Sequence, residues 1–97
     1  GAITVAEIGV AGVAAILFPL PWFVAEEQAG NARFLESRDA AIRLAQLETT
    51  PASLAALLSG LTRERLCALA AAARAVGKPE ATRRCADLCE SMAGVAA

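Results

Sequence analysis

Val13-Ala14-Ala15-Ile16-Leu17-Phe18 is an unbroken apolar run that stops at Pro19. A short apolar run ended by a turn signal suits a strand buried on both faces, as in a parallel sheet. Such a strand needs a neighbour reached by a crossover, usually through a helix. The run therefore predicts an α/β arrangement, and the next segments fit one. "PLPWFVAEEQAGN" reads as a loop entering a helix near Glu26, with Phe34 and Leu35 toward the C-terminal end of that helix. "AAIRLA", Ala40 to Ala45, reads as a second short strand, although Arg43 is awkward in a fully buried one. Strand, helix and strand in that order imply a right-handed parallel crossover.

Ahead of the run, Thr4 to about Ala11 reads as a short helix with Glu7 in its first turn. The Thr4-x-x-Glu7 spacing fits a capping box, in which the hydroxyl accepts from the amide three residues on and the carboxylate accepts from the Thr amide. A carboxylate in the first turn of a helix is equally placed to hold a ligand, and the residues alone leave both readings open. After Ala45 the chain reads as helix throughout. Thr50 caps and Pro51 takes the first helical position, with Leu54, Leu57 and Leu58 on one face. A second helix runs from Thr62 to Val76, with Leu66, Leu69, Ala73 and Val76 inward, and Gly77 stops it. Pro79 begins a last helix that reaches about Met92. Two parallel strands do not make a stable sheet by themselves, and an α/β unit normally opens on a strand. The expectation is that the chain is the C-terminal part of a larger α/β domain and that Gly1 is not its true beginning.

Composition narrows the function classes. Ninety-seven residues allow one domain at most. The chain is 57% hydrophobic with a mean hydropathy of +0.51, and much of that is alanine, a helix former. Nine basic residues against ten acidic ones give a net charge of -1, so no basic field draws nucleic acid, and three Phe and one Trp offer little for base stacking. There is no histidine, which removes the commonest metal ligand and general base. The three cysteines, Cys67, Cys85 and Cys89, are an odd count that argues against a disulfide framework. Cys85 and Cys89 share a helical face with Leu88 and Met92, so they are expected as buried thiols rather than metal ligands. Reduced thiols point weakly to the cytosol. The uncharged stretch from Ile8 to Ala25 is long enough to raise a membrane span, but Pro19 and Pro21 lie inside it, Gly9 and Gly12 weaken it as a helix, and no basic residue precedes it as in a signal peptide. Arg63-Glu64-Arg65 reads as a solvated face, and Glu26 with Glu27 as a first-turn pair that suits the helix dipole.

"GAITVAEIGVAGVAAILFPLP", then "QAGNARFL", then "LTRERLCALAAAARAVGKPEAT" together resemble one bacterial enzyme family, the UDP-N-acetylglucosamine–N-acetylmuramyl-(pentapeptide) pyrophosphoryl-undecaprenol N-acetylglucosamine transferases, which make lipid II from lipid I in peptidoglycan synthesis. The likeness covers essentially the whole chain, and it lies in the order and spacing of these segments rather than in any single motif. It implies the C-terminal part of a Rossmann-like, donor-binding half of a two-domain, GT-B type glycosyltransferase, helix-rich with about two parallel strands. Residues 1–97 would be the last portion of the sugar-nucleotide-binding domain. The implied donor is UDP-N-acetylglucosamine; the lipid-linked acceptor would be met through an N-terminal domain outside this segment. No cofactor or metal is implied. The family works at the cytoplasmic face of the bacterial inner membrane as a peripheral protein, with membrane contact not through this segment. The 97-residue chain alone is expected to transfer no sugar.

The same resemblance assigns roles. Gly1, Ala2, Ile3 and Thr4 form the turn and helix entry whose backbone amides face the donor's phosphate and sugar, work that suits a helix N-terminus. Glu7 falls on a carboxylate that accepts from the ribose hydroxyls. Gln28 falls on a glutamine that reads the N-acetylglucosamine hydroxyls, and Asn31 is a usual residue just beyond it. The chain departs from the family pattern at Trp22, where relatives often carry histidine, at Ala25, Glu26 and Glu27, which replace two acids and a histidine, and at Arg43, which replaces an apolar residue. An acidic pair beside a diphosphate repels it unless the side chains point away. The rival reading is a non-catalytic helical interaction module with an apolar or membrane-attached N-terminal segment. It explains the helix-rich second half but neither the apolar run ending in Pro-x-Pro nor the Gln-x-x-Asn entry to the next helix.

Overall fold

The computed structural model describes residues 1–22 and 26–94; the stretch of the expected loop from Phe23 to Ala25 lies outside the described residues. The elements are α1 (Ala2–Ala11), β1 (Ile16–Leu17), α2 (Glu26–Glu36), β2 (Ile42–Arg43), a 3-10 turn (Gln46–Glu48), α3 (Pro51–Gly60), α4 (Arg63–Val76) and α5 (Ala81–Met92). The strands pair in parallel, Ile16 against Ile42 and Leu17 against Arg43, with α2 between them in sequence. The amide of Ile42 donates to Ala15 at 3.0 Å and that of Leu44 to Leu17 at 2.9 Å. The α/β reading of the apolar run therefore holds, but the strands shrink. Of Val13–Phe18 only Ile16 and Leu17 are strand, and Val13 and Phe18 are exposed. Arg43 is accommodated because β2 is only partly buried and Nε of Arg43 pairs with Oε1 of Glu36 at 3.0 Å.

The opening helix corrects an expectation. It begins at Ala2, its N-cap is Gly1, and it has no side-chain cap. Thr4 thus sits inside the first turn, where its hydroxyl is past the capping position, and the Thr4–Glu7 capping box does not form. The helix closes at Gly12, whose φ of 65° and ψ of 53° place it in the left-handed region that glycine enters at no steric cost. The apolar stretch from Ile8 onward is thereby split between a helix end and a strand. Among the described residues no helix is long and apolar enough to cross a membrane.

The core is small and lies where α1, α2, β2 and α4 meet. Leu35, Ala40, Ala41 and Ala73 are buried, with Val5, Ile8, Leu17, Ala72 and Val76 packed against them. The chain reaches this core from α2 through Asp39, a non-glycine residue at φ 54°, a conformation Asp tolerates better than most residues. The approach of α1 to the end of α4 is close because glycine stands on both sides, Gly9 in α1 and Gly77 just past Val76. A Cβ on Gly77 would stand 2.5 Å from the carbonyl oxygen of Gly9.

Of the later helices, α3 and α4 start where the sequence placed them, but their faces differ from the expected ones. Thr50 caps α3 in a box with Ser53: Oγ1 of Thr50 accepts from the Ser53 amide at 3.0 Å and Oγ of Ser53 accepts from the Thr50 amide at 2.9 Å. Thr62 caps α4 through the Arg65 amide. On α4, Leu69 and Ala73 are buried as expected, whereas Leu66 is exposed. On α3, Leu58 is exposed. The last helix begins at Ala81, two residues past Pro79. The buried-thiol reading is overturned: Cys67, Cys85 and Cys89 are all exposed, as are Leu88 and Met92, because among the described residues no other element packs closely over the apolar face of α5. The result is a slab of 58 × 35 × 16 Å with a radius of gyration of 16.9 Å, against about 12–13 Å for a compact chain of this length.

Candidate functional site

Three elements converge on one depression of about 190 Å³. It lies at the N-terminus of α1, the carboxyl end of β1 and the first turns of α2, and is lined by residues that include Gly1, Thr4, Phe18, Pro19, Gln28 and Asn31. Parallel α/β sheets bind ligands in such a crevice, outside the carboxyl ends of their strands. The amides of an α-helix's first turn have no acceptor within the helix. In α1 the Val5 amide reaches Gly1 at 3.3 Å, and no acceptor is assigned to the amides of Ala2, Ile3 and Thr4 among the described residues. With no side-chain cap in place, these donors and the positive end of the helix dipole favour an anion.

Gln28 stands across the depression. Its Oε1 accepts from the Leu20 amide at 3.2 Å. That bond fixes which end of the carboxamide faces the loop and leaves the two N–H groups of Nε2 to donate elsewhere. Asn31 lies three residues on, on the same face of α2, and lines the depression beside it. Glu26 and Glu27 are exposed and neither lines it, so the acidic pair does not confront an anion held there.

The five residues singled out from the sequence separate into groups. Thr4 and Gln28 line the same depression. Ala2 borders a second one, of about 340 Å³, between α1, α2 and α4, and Ile3 is 76% exposed with its side chain in solvent; both can serve the site only through their amides. Glu7 is exposed, one turn beyond Thr4 on the same helical face, and outside the depression. Gly1, read from the resemblance as part of the helix entry, lines the depression too, whereas Phe18 and Pro19 went unread in the sequence as lining residues. The carboxyl-end rule for strands is the signal that points to Phe18 and Pro19. A further depression of about 350 Å³ opens beyond the carboxyl ends of both strands, between Trp22, Glu26, Arg43 and the Gln46–Glu48 turn. Among the described residues no group of His, Cys, Asp and Glu is placed to hold a metal ion.

Residues 1–88 match the glycosyltransferase family 28 C-terminal domain. The chain belongs to that family. Among relatives of the family 28 domain, the UDP-N-acetylglucosamine–N-acetylmuramyl-(pentapeptide) pyrophosphoryl-undecaprenol N-acetylglucosamine transferase of Cupriavidus metallidurans is 48% identical over 94 residues, which is 97% of this chain and 26% of the relative. The protein of the same name from Nitrosospira multiformis is 46% identical over 95 residues, 98% of this chain and 27% of the relative. The crystal structure of Acinetobacter baumannii MurG superposes on 91% of this chain and 26% of its own, with a TM-score of 0.82 at 42% identity. The family 28 domain described here thus spans about a quarter of the length of the relatives it matches. Its helix-rich α/β fold with two parallel strands is that of the C-terminal part of a GT-B glycosyltransferase.

Proposed function

We propose that this segment is the donor-binding part of a glycosyltransferase that moves N-acetylglucosamine from UDP-N-acetylglucosamine to a lipid-linked acceptor, undecaprenyl-pyrophosphoryl-N-acetylmuramyl-pentapeptide. The observation that carries the reading is the convergence of an uncapped helix N-terminus and the free end of the Gln28 carboxamide on one depression at the carboxyl end of β1. Its support is 46–48% identity, over 97–98% of this chain, to about a quarter of the length of proteins bearing that name.

In this reading the amides of Ala2, Ile3 and Thr4 donate to the donor diphosphate. Gln28, through Nε2, donates to hydroxyls of the sugar. The depression, about 190 Å³, is smaller than the 300 Å³ or more usual for a whole drug-sized ligand, so the nucleoside extends out of it along α1. Glu7 lies in that direction and accepts from the ribose hydroxyls. The acceptor lipid is held by parts of the enzyme outside this segment, which by itself transfers no sugar: transfer needs an oriented base and a bound acceptor. The enzyme works at the cytoplasmic face of the bacterial inner membrane, with its membrane contact elsewhere. The alternative of an interaction module with a membrane-attached N-terminus is the weaker reading, since the apolar stretch ends a helix at Gly12 and then enters a parallel strand.

Two substitutions in the complete enzyme test the reading. Gln28→Ala removes the donor to the sugar, and Glu7→Gln replaces a charged acceptor by a neutral amide. Hydrogen bonds to charged groups contribute about 1.5–3 kcal/mol against about 1 for neutral ones, so Glu7→Gln is expected to weaken donor binding roughly two- to thirtyfold. Glu7 is exposed and belongs to no capping box, so the melting temperature should not move. Donor affinity unchanged in both variants, measured by calorimetry, would remove the proposal.

A further inference from the structure

We propose that Arg74, on α4 and outside the depression, is a positioning residue that sets the axial register of α1 and so the placement of the amides at its other end. The inference rests on the donor-binding reading above.

The α1–α4 crossing is made by Gly9 and Gly77, so close that a Cβ on either would meet the other's backbone, at 3.0 Å or less. Two glycines bring helices near each other, but they supply no side-chain ridge to lodge in a groove, and ridges are what ordinarily resist sliding. Elsewhere along α1 the anchoring is apolar and without direction. Gly9 is its one buried residue, with Val5 and Ile8 partly buried, and its N-terminal turn is exposed and uncapped. The one side-chain hydrogen bond to α1 among the described residues lies at its far end. Arg74 donates through Nη2 to the carbonyl oxygen of Ala11 at 3.3 Å, one of the terminal carbonyls that lack a helical partner, and its charge suits the negative end of the dipole. This bond spans 63 positions, whereas the next longest-range side-chain bond among the described residues spans eight.

Gly12 is the other half of the device. A Cβ there would stand 2.6 Å from Nε of Arg74 and 3.0 Å from Nη2. The left-handed glycine that closes α1 thus also leaves the space that the guanidinium fills. Ten residues of helix form a rod of about 15 Å, and a rod released at one end shifts at the other. Displacements of about an ångström at a binding group are enough to cost activity.

The test uses the complete enzyme with UDP-N-acetylglucosamine and its lipid-linked acceptor. Arg74→Met removes the bond; Gly12→Ala leaves Arg74 in place but fills its seat. Each is expected to raise the donor dissociation constant about three- to tenfold, with the acceptor KM within about twofold of the unaltered enzyme. The double variant should be no worse than the weaker-binding single, because both act through one contact. Arg74 is exposed, so Arg74→Met remains a usable variant even if Gly12→Ala fails to fold. A general loss of stability would lower the active fraction, and hence kcat, without separating donor from acceptor. Donor affinity unchanged in Arg74→Met, with only the melting temperature lowered, would overturn the inference and leave Arg74 a helix cap. An unaltered enzyme that bound no donor would show instead that the underlying reading had failed.

Discussion

The two halves of this molecule are built on different physical terms. Before the Gln46–Glu48 turn, α1, β1, α2 and β2 are joined by tertiary contacts, and almost every feature of the candidate site depends on elements brought together from a distance. After that turn, only α4 packs inward, through Leu69 and Ala73, while α3 and α5 have no buried residue at all. Yet α3 carries the best-formed cap among the described helices, and the first half holds a helix with no side-chain cap. In α3 a local capping box defines a helix that buries little; in α1 packing places a helix whose end is left open, and an open end is what a ligand can use.

Three substitutions in the 97-residue chain probe that difference, read by thermal unfolding at one protein concentration. Leu35→Ala should have the largest effect. Leu35 is fully buried at the centre of the first half's core, and the cavity is expected to cost about 2–5 kcal/mol. A loss below about 1 kcal/mol would mean that this core is looser than its burial implies. Thr50→Ala should come next, at about 0.5–2 kcal/mol, because it removes an acceptor for the Ser53 amide and half of the box on α3. Leu88→Ala should do least, within about 0.5 kcal/mol, since Leu88 on α5 is 62% exposed. If Leu88→Ala destabilised the chain as much as Leu35→Ala, the contrast between the halves would collapse, and α5 would have to be packed in solution.

The same contrast explains what was legible in the sequence. Thr50-Pro51 and Thr62 announced α3 and α4 because caps are written in neighbouring residues. The α/β crossover was legible from one apolar run and the helix after it, although the run yielded only Ile16 and Leu17 as strand. Its remaining residues were apolar without being paired, and hydrophobicity alone does not set a strand's length. Thr4 and Glu7 had the spacing of a capping box, but the helix had already begun at Ala2, a boundary that spacing cannot fix. Cys85 and Cys89 were placed on the correct face of α5, yet burial needs a partner element that periodicity does not supply. The Glu36–Arg43 pair, the Gly9–Gly77 crossing and the Arg74–Ala11 bond all join different elements, and nothing local signals them. Of the site, Thr4 and Gln28 were named in advance and share a depression; Glu7 was named and stands outside it.

The central claim is that a diphosphate sits on the open N-terminus of α1 with its sugar against Gln28. The most direct test is a crystal structure of the complete enzyme with UDP-N-acetylglucosamine bound. The account predicts phosphate oxygens at hydrogen-bond distance, about 2.7–3.2 Å, from amides among Ala2, Ile3 and Thr4, and Nε2 of Gln28 against a sugar hydroxyl while its Oε1 keeps the Leu20 amide. Phosphates bound elsewhere, with those amides facing only water, would contradict it.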